Sequence, residues 1–262
     1  MKRYKKTKAT PQSDIVEEQF NRDAARNGRE AEKILTNYIQ SHEDSTAWIA
    51  EDIGLYSYAR TSAELRAGSE KPDVVLRDLE KGKDYAFISL KCCKHFDTAF
   101  NQIKRCSVMK FREEFGVPEE VITIFKKYTE DKKKLLQGNY SQKELALLLE
   151  FLNANRRALL ASAFTGKNKQ LKANWLLLHQ WTPPDWRKNI ARKDRSVLIS
   201  MQDILSLFSK INASFTKRGT ITFGAGVTLQ RKGGDKGKES ANDLQFKLRI
   251  KPMLETRLKS RA

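Results

Sequence analysis

Apolar and polar positions alternate most regularly between Lys71 and Lys94, K-P-D-V-V-L-R-D-L-E-K-G-K-D-Y-A-F-I-S-L-K-C-C-K. Two short apolar runs flank the polar turn E-K-G-K, which predicts an antiparallel hairpin. Side chains alternate along a strand, so Tyr85, Phe87, Ser89 and Lys91 share one face while Ala86, Ile88 and Leu90 share the other. Asp73 opens the first strand; Ser89 and Lys91 close the second. The hairpin therefore gathers a carboxylate, a hydroxyl and an amine at one end of a sheet.

Around it the pattern is mostly helical. Positions Ile15, Phe20, Ala24, Ala31, Ile34, Leu35, Tyr38 and Ile39 recur at helical spacing, interrupted at Gly28, with Glu32 on the second piece. Ala47 to Leu65 is a buried segment that reads equally as helix or strand. Phe96 to Phe115 predicts a basic helix crossing the sheet, and the β-branched run V-I-T-I-F within Pro118 to Tyr128 predicts a strand. Ser141 with Glu144 three residues later is a capping box opening a helix from Gln142 to about Phe164. Asn174 to Gln180 predicts a strand, and Ser200 caps a short helix. Thr220 to Leu229 predicts another strand, whose Gly224 and Gly226 imply a bulge or a close backbone approach. L-Q-F-K-L-R-I predicts a final strand.

Charge narrows the partner. The formal net charge is +18, and an excess that large favours a polyanion, nucleic acid first; the bland alternative is solubility alone. With 39% hydrophobic residues the chain can form a packed core. The longest apolar run, W-L-L-L, is too short to span a bilayer, so no membrane partner is expected, and no apolar segment follows the basic N-terminus as in a secretory signal. Cys92, Cys93 and Cys106 lack zinc-site spacing and suggest reduced intracellular thiols. His42, His95 and His179 are scattered and give a histidine-centred mechanism no support.

An Asp at a strand start followed by a second strand ending in polar-x-Lys is the skeleton of a metal-dependent nuclease site. Cleaving a phosphodiester calls for a cation that polarises the phosphate and acidifies a water. Mg²⁺ needs only one or two protein carboxylates beside its waters. Asp73 is then the principal ligand, the Leu90 carbonyl a second, and Lys91 the group that positions the nucleophile. Ser89 stands where Glu or Asp is usual. Its hydroxyl can hold a water of the metal's shell, or Glu32 can lean in as the missing carboxylate; otherwise Glu32 is a solvated helix residue.

Two further stretches suit DNA. In Q-R-K-G-G-D-K-G-K-E-S-A-N, Gln230 and Arg231 have the side chains that pair with adenine and guanine edges, and the glycines permit close backbone approach. Lys232 continues that Gln-Arg-Lys run as it leaves the strand and points the same way, to base reading, while Lys236 and Lys238 suit phosphates; the alternative is a solvated basic loop. In A-F-N-Q, Phe100 is either a core residue or a wedge between base steps, with Gln102 beside it.

These residues carry a resemblance. R-G-T-I-T-F-G, V-T-L-Q-R-K-G-G-D-K-G-K-E-S-A-N-D-L-Q-F-K, A-F-N-Q-I-K, Y-S-Q-K-E-L and A-N-W-L-L-L resemble the type II restriction endonucleases of the PD-(D/E)XK superfamily, and within it a GCGC-recognising branch related to MspI. The resemblance implies Mg²⁺-dependent cleavage of double-stranded DNA at a four-base-pair palindrome. Asp73, Ser89 and Lys91 match an Asp–Gln–Lys catalytic set, with Ser in place of Gln. Phe100 and Gln102 match a minor-groove segment, and Gln230, Arg231 and Lys232 a major-groove one.

The expected fold is α/β: a mixed central sheet flanked by helices, with a C-terminal β-rich recognition region. Residues 1–13 form a flexible basic arm, 14–130 the catalytic region and 131–262 the DNA-recognition region, the last two joined in one compact domain. A cytoplasmic enzyme of a prokaryotic cell, monomeric or weakly homodimeric, is the expected setting. The rival readings are a non-catalytic DNA-binding protein on a decayed nuclease fold and a repair or junction nuclease of the same superfamily.

Overall fold

The computed structural model describes residues 48–49, 51–53, 61–65, 72–78, 82–93, 95–97, 100–133, 135–166, 172–180, 196–209, 211–233 and 238–261. Its strands, numbered in chain order, form two five-stranded sheets. The first contains β1 (Thr61–Leu65), β2 (Val74–Asp78), β3 (Lys83–Cys93), β5 (Trp175–Gln180) and β6 (Ser196–Ser200), in the order β1-β2-β3-β5-β6. It is mixed: β3 and β5 run parallel and every other neighbour is antiparallel. The second is wholly antiparallel, ordered β4-β10-β9-β8-β7, from β4 (Phe100–Cys106), β7 (Ser214–Phe215), β8 (Ile221–Gly224), β9 (Val227–Arg231) and β10 (Leu244–Arg249).

Helices α1 (Val108–Phe115), α2 (Glu119–Thr129), α3 (Gln142–Ala154) and α4 (Arg156–Thr165) lie between β4 and β5 in the chain. Helix α5 (Met201–Ser209) follows β6, and α6 (Ile250–Arg261) follows β10. Among the described residues, no helix is long and apolar enough to cross a membrane.

The expected hairpin is β2–β3. Ala86, Ile88 and Leu90 turn to a smaller core with Trp48, Ile49, Val74, Leu76, Leu177 and Leu198. The segment left open at Ala47 to Leu65 holds both types of structure, with helical turns at 48–49 and 51–53 and strand β1. Beneath the opposite face lies one larger core that runs from Cys93 through the helices to Leu244, Phe246 and Met253. Phe111 of α1 meets Phe125 of α2 edge-on at 5.3 Å and Phe246 of β10 at 6.4 Å, tying helices to the second sheet. Such aromatic pairs contribute about 0.5–1.5 kcal/mol beyond burial. Partly buried Lys104 of β4 pairs with Glu114 of α1 and donates to the Ser162 hydroxyl of α4, a polar cross-tie between the same layers.

Four element assignments differ from the sequence reading. The expected basic helix from Phe96 to Phe115 is strand β4 followed by α1, whose cap is the Ser107 hydroxyl accepting from the Lys110 amide. The expected strand at V-I-T-I-F is helix α2: Val121, Ile122, Ile124, Phe125 and Tyr128 form one buried stripe. The helix opened by Ser141 has its capping box, but it breaks at Asn155 into α3 and α4. Thr220 to Leu229 is two strands, since Gly224 and Gly226 take φ of 77° and 83° around Ala225 and turn the chain back on itself. The expected close approach is also there: a Cβ on Gly226 would lie 2.4 Å from the Arg249 carbonyl oxygen.

Candidate active site

Strand β2 pairs only as far as Val74, opposite Ile88. Asp73 extends the ladder by one main-chain bond, its amide donating to the Ile88 carbonyl at 2.9 Å. The next amide on that edge of β3, that of Leu90, has no strand to meet and would be left unsatisfied. The Asp73 carboxylate takes it: Oδ2 accepts from the Leu90 amide at 2.6 Å and from the Ser89 hydroxyl at 3.1 Å.

On the other edge of β3, Asn174 clamps the start of the parallel pairing. Its side-chain oxygen accepts from the Phe87 amide at 2.8 Å, and its own amide donates to the Phe87 carbonyl at 2.8 Å. Ser89 and Lys91 then stand in register with Leu176 and Leu178 of β5.

Asp73 and Lys91 are each about four-fifths buried, with side-chain exposures of 19% and 16%. The Lys91 ammonium donates to the Leu90 carbonyl at 2.8 Å and lies 4.0 Å from Asp73 Oδ2. The residues expected at the hairpin end are thus in mutual contact. Ser89 is fully buried, so its hydroxyl braces the carboxylate from below and has no face on solvent. Glu32, the alternative carboxylate, lies outside the described residues.

Two bonds occupy Asp73 Oδ2, while Oδ1 accepts none among the described residues. Among the same residues no cluster of three Asp, Glu, His or Cys side chains forms. One carboxylate oxygen beside one main-chain carbonyl, with a lysine at its edge, fits a hard cation that keeps most of its water shell. Asp73 and Leu90 would hold it. A divalent cation bound there would supply Lewis acidity to a phosphate oxygen and would lower the pKa of a water.

The recognition candidates divide by face. Cross-strand register sets two rows on the polar face of the second sheet: Gln230, Gln245 and Arg105; and Thr228, Lys247 and Gln102. Arg249 pairs with Phe100 at their edge. Gln102 is exposed, and Phe100 is 38% exposed. Arg231 alternates to the other face, where its guanidinium donates to the Thr129 carbonyl and to Asn242. The structure therefore does not bring Arg231 to the surface that Gln230 occupies.

Lys232 leaves the sheet with its amide donating to the Asp243 carbonyl and its own carbonyl accepting from Gln245. Burial, with Arg105 nearby, draws its ammonium below the ordinary lysine value. Lys238 is exposed at the start of the 3-10 turn Glu239–Asn242; Lys236 lies outside the described residues. The sequence reading passed over Gln245, Lys247 and Arg249, although strict alternation in L-Q-F-K-L-R places all three on one face.

Comparison with known proteins agrees with this architecture. The solved structure of the restriction endonuclease MspI in complex with its cognate DNA is similar, with a TM-score of 0.53 and 16% identity, covering 80% of this chain and 79% of that one. No curated protein sequence matches. The family described as R.HinP1I restriction endonuclease matches residues 79–254, a span that includes Ser89, Lys91 and the polar face and begins after Asp73. With more than half its length matched, this chain belongs to the R.HinP1I restriction endonuclease family.

Proposed function

We propose that this protein is a type II restriction endonuclease that hydrolyses double-stranded DNA at a four-base-pair palindrome, GCGC, with Mg²⁺. The observation that carries the reading is the Asp73–Ser89–Leu90–Lys91 cluster: one carboxylate fixed on Oδ2, with Oδ1 open among the described residues, beside a lysine-bonded carbonyl. Asp73 and the Leu90 carbonyl bind the cation. The Lys91 ammonium orients the attacking water and stabilises charge developing on the phosphate oxygens. Ser89 keeps Asp73 in place. Gln230, Lys232 and Gln102 face the bases and Phe100 the base step, while Lys236 and Lys238 take phosphates. Family membership and the likeness to a nuclease solved with its DNA support the substrate. The setting is a prokaryotic cytoplasm, the working form a monomer or weak homodimer.

Digestion of plasmid DNA with and without Mg²⁺, followed by sequencing of the fragment ends, tests this. The expected result is a ladder of discrete fragments, each end at GCGC, that disappears without the metal. That no group of three Asp, Glu, His or Cys side chains forms among the described residues favours a second reading, a DNA-binding protein on a decayed nuclease fold. That reading gives an uncut plasmid, whereas a junction or repair nuclease gives smears or structure-dependent cuts.

A further inference from the structure

The edge of the polar face, where β4 meets β10, holds an unusual grouping. Phe100 is one of few large apolar side chains exposed among the described residues. The Lys247 ammonium lies 4.5 Å from its ring centroid and the Arg249 guanidinium 5.4 Å. Two cations thus attend one ring, in register with it and with exposed Gln102.

Other cations nearby are neutralised. Arg105 reaches Asp243 at 3.3 Å and Lys251 reaches Asp97 at 3.1 Å. Neither Lys247 nor Arg249 has a carboxylate within ion-pair distance among the described residues. Arg249 is moreover pinned: its amide donates to the Gly226 carbonyl at 2.9 Å, under the turn that only glycine permits.

We propose that Lys247 and Arg249 are DNA-positioning residues, a cationic shelf that holds the Phe100 ring upright against a nucleobase and takes the phosphates on either side of it. The shelf rests on the duplex-DNA reading above. Its physical logic is that cation–π contact fixes the ring without burying it. The charges remain available because no carboxylate of the described residues competes for them. Burial alone already holds the Lys247 ammonium below the ordinary lysine value, a penalty that a neighbouring phosphate relieves. A ring stacked on a base is tolerant of sequence, so the shelf sets position and register while the glutamine rows read bases.

The test uses the full chain and a duplex carrying the site mapped by plasmid digestion, with 2-aminopurine placed in turn across and beside it. Ca²⁺ replaces Mg²⁺ so that the duplex stays whole. Lys247→Ala and Arg249→Ala should melt at the wild-type temperature and bind several-fold more weakly. Each should flatten the slope of log affinity against log salt by about one. Each should also shrink the fluorescence rise that reports an unstacked base, and Lys247→Arg should restore both. Wild-type slopes and fluorescence in the two alanine variants overturn the proposal, as does a lowered melting temperature with an unchanged slope. A wild-type protein that binds no duplex overturns the functional reading itself; one that cuts discretely while the shelf variants behave as wild type overturns only the shelf.

Discussion

Arg231 donates through Nε to the main-chain carbonyl of Thr129 at 2.6 Å, joining strand β9 to the last residue of helix α2. That carbonyl belongs to the final turn, where no helical amide is left to satisfy it, and Thr129 is fully buried. Nη2 adds a bond to Asn242 Oδ1 at 3.0 Å, which steadies the far end of the Gln230 loop.

Arg231→Ala is accordingly expected to destabilise the fold by about 1.5–3 kcal/mol, the range for hydrogen bonds to charged groups. Urea unfolding measures this, and Arg231→Lys should recover only part of it because an ammonium lacks the planar fork. An unfolding midpoint equal to wild type, with sequence selectivity lost, would show the guanidinium reading a base instead.

Lys91→Ala is expected to abolish Mg²⁺-dependent plasmid cleavage while duplex binding stays near wild type. Asp73→Asn should also stop cleavage and, unlike Lys91→Ala, weaken the binding of Mn²⁺ measured by titration calorimetry. Cutting by Lys91→Ala with Mg²⁺ would place the chemistry elsewhere.

Ser89→Ala removes one of the two donors on Asp73 Oδ2 without touching solvent. Groups that orient a metal ligand in this way are worth about 10–100-fold in affinity or activity. The single-turnover rate should fall within that range, and more Mg²⁺ should be needed for half-maximal rate. A wild-type Mg²⁺ requirement in this variant would deny Ser89 its bracing role.

Ser141→Ala should cost about 1 kcal/mol, as usual for a lost helix cap. The reciprocal half of the box titrates. The Ser141 amide, and then its hydroxyl and Lys127, hold the Glu144 carboxyl below its ordinary value of 4.5. A lowered folded pKa stabilises fully above that ordinary value, and the contribution is lost as pH falls through the lowered one. Glu144→Gln should therefore melt below wild type at pH 7, with the gap closing in strong acid.

The hairpin was legible because period-two alternation and a polar turn coincide from Val74 to Cys93, and the meeting of Asp73, Ser89 and Lys91 was legible because they sit at the ends of that same hairpin. Strand β4 was not. Its pairing shifts at Phe246/Lys247, leaving Ile103 as an extra residue, so exposed Gln102 and Arg105, like buried Ile103 and Cys106, fall at the i, i+3 spacing of a helix. Helix α2 was hidden by β-branched residues whose strand preference the helical core stripe overrides. That Asp73 serves an orphaned Leu90 amide follows from where β2 stops pairing, and no residue pattern announces that register. The inward turn of Arg231 was implied by strand parity, once β9 is known to begin at Val227.

Strands β5 and β6 come from the later half of the chain yet complete the sheet that carries Asp73 and Lys91, while β4 crosses from the earlier half to edge the sheet that carries Gln230. The chain is laced through itself, and one core spans both halves. Target preference in such a molecule cannot be exchanged like a cassette, because a chimera joined near residue 131 would splice two different interiors. On the proposed reading, specificity drifts by single side chains on the outward face, with the interior held constant beneath them.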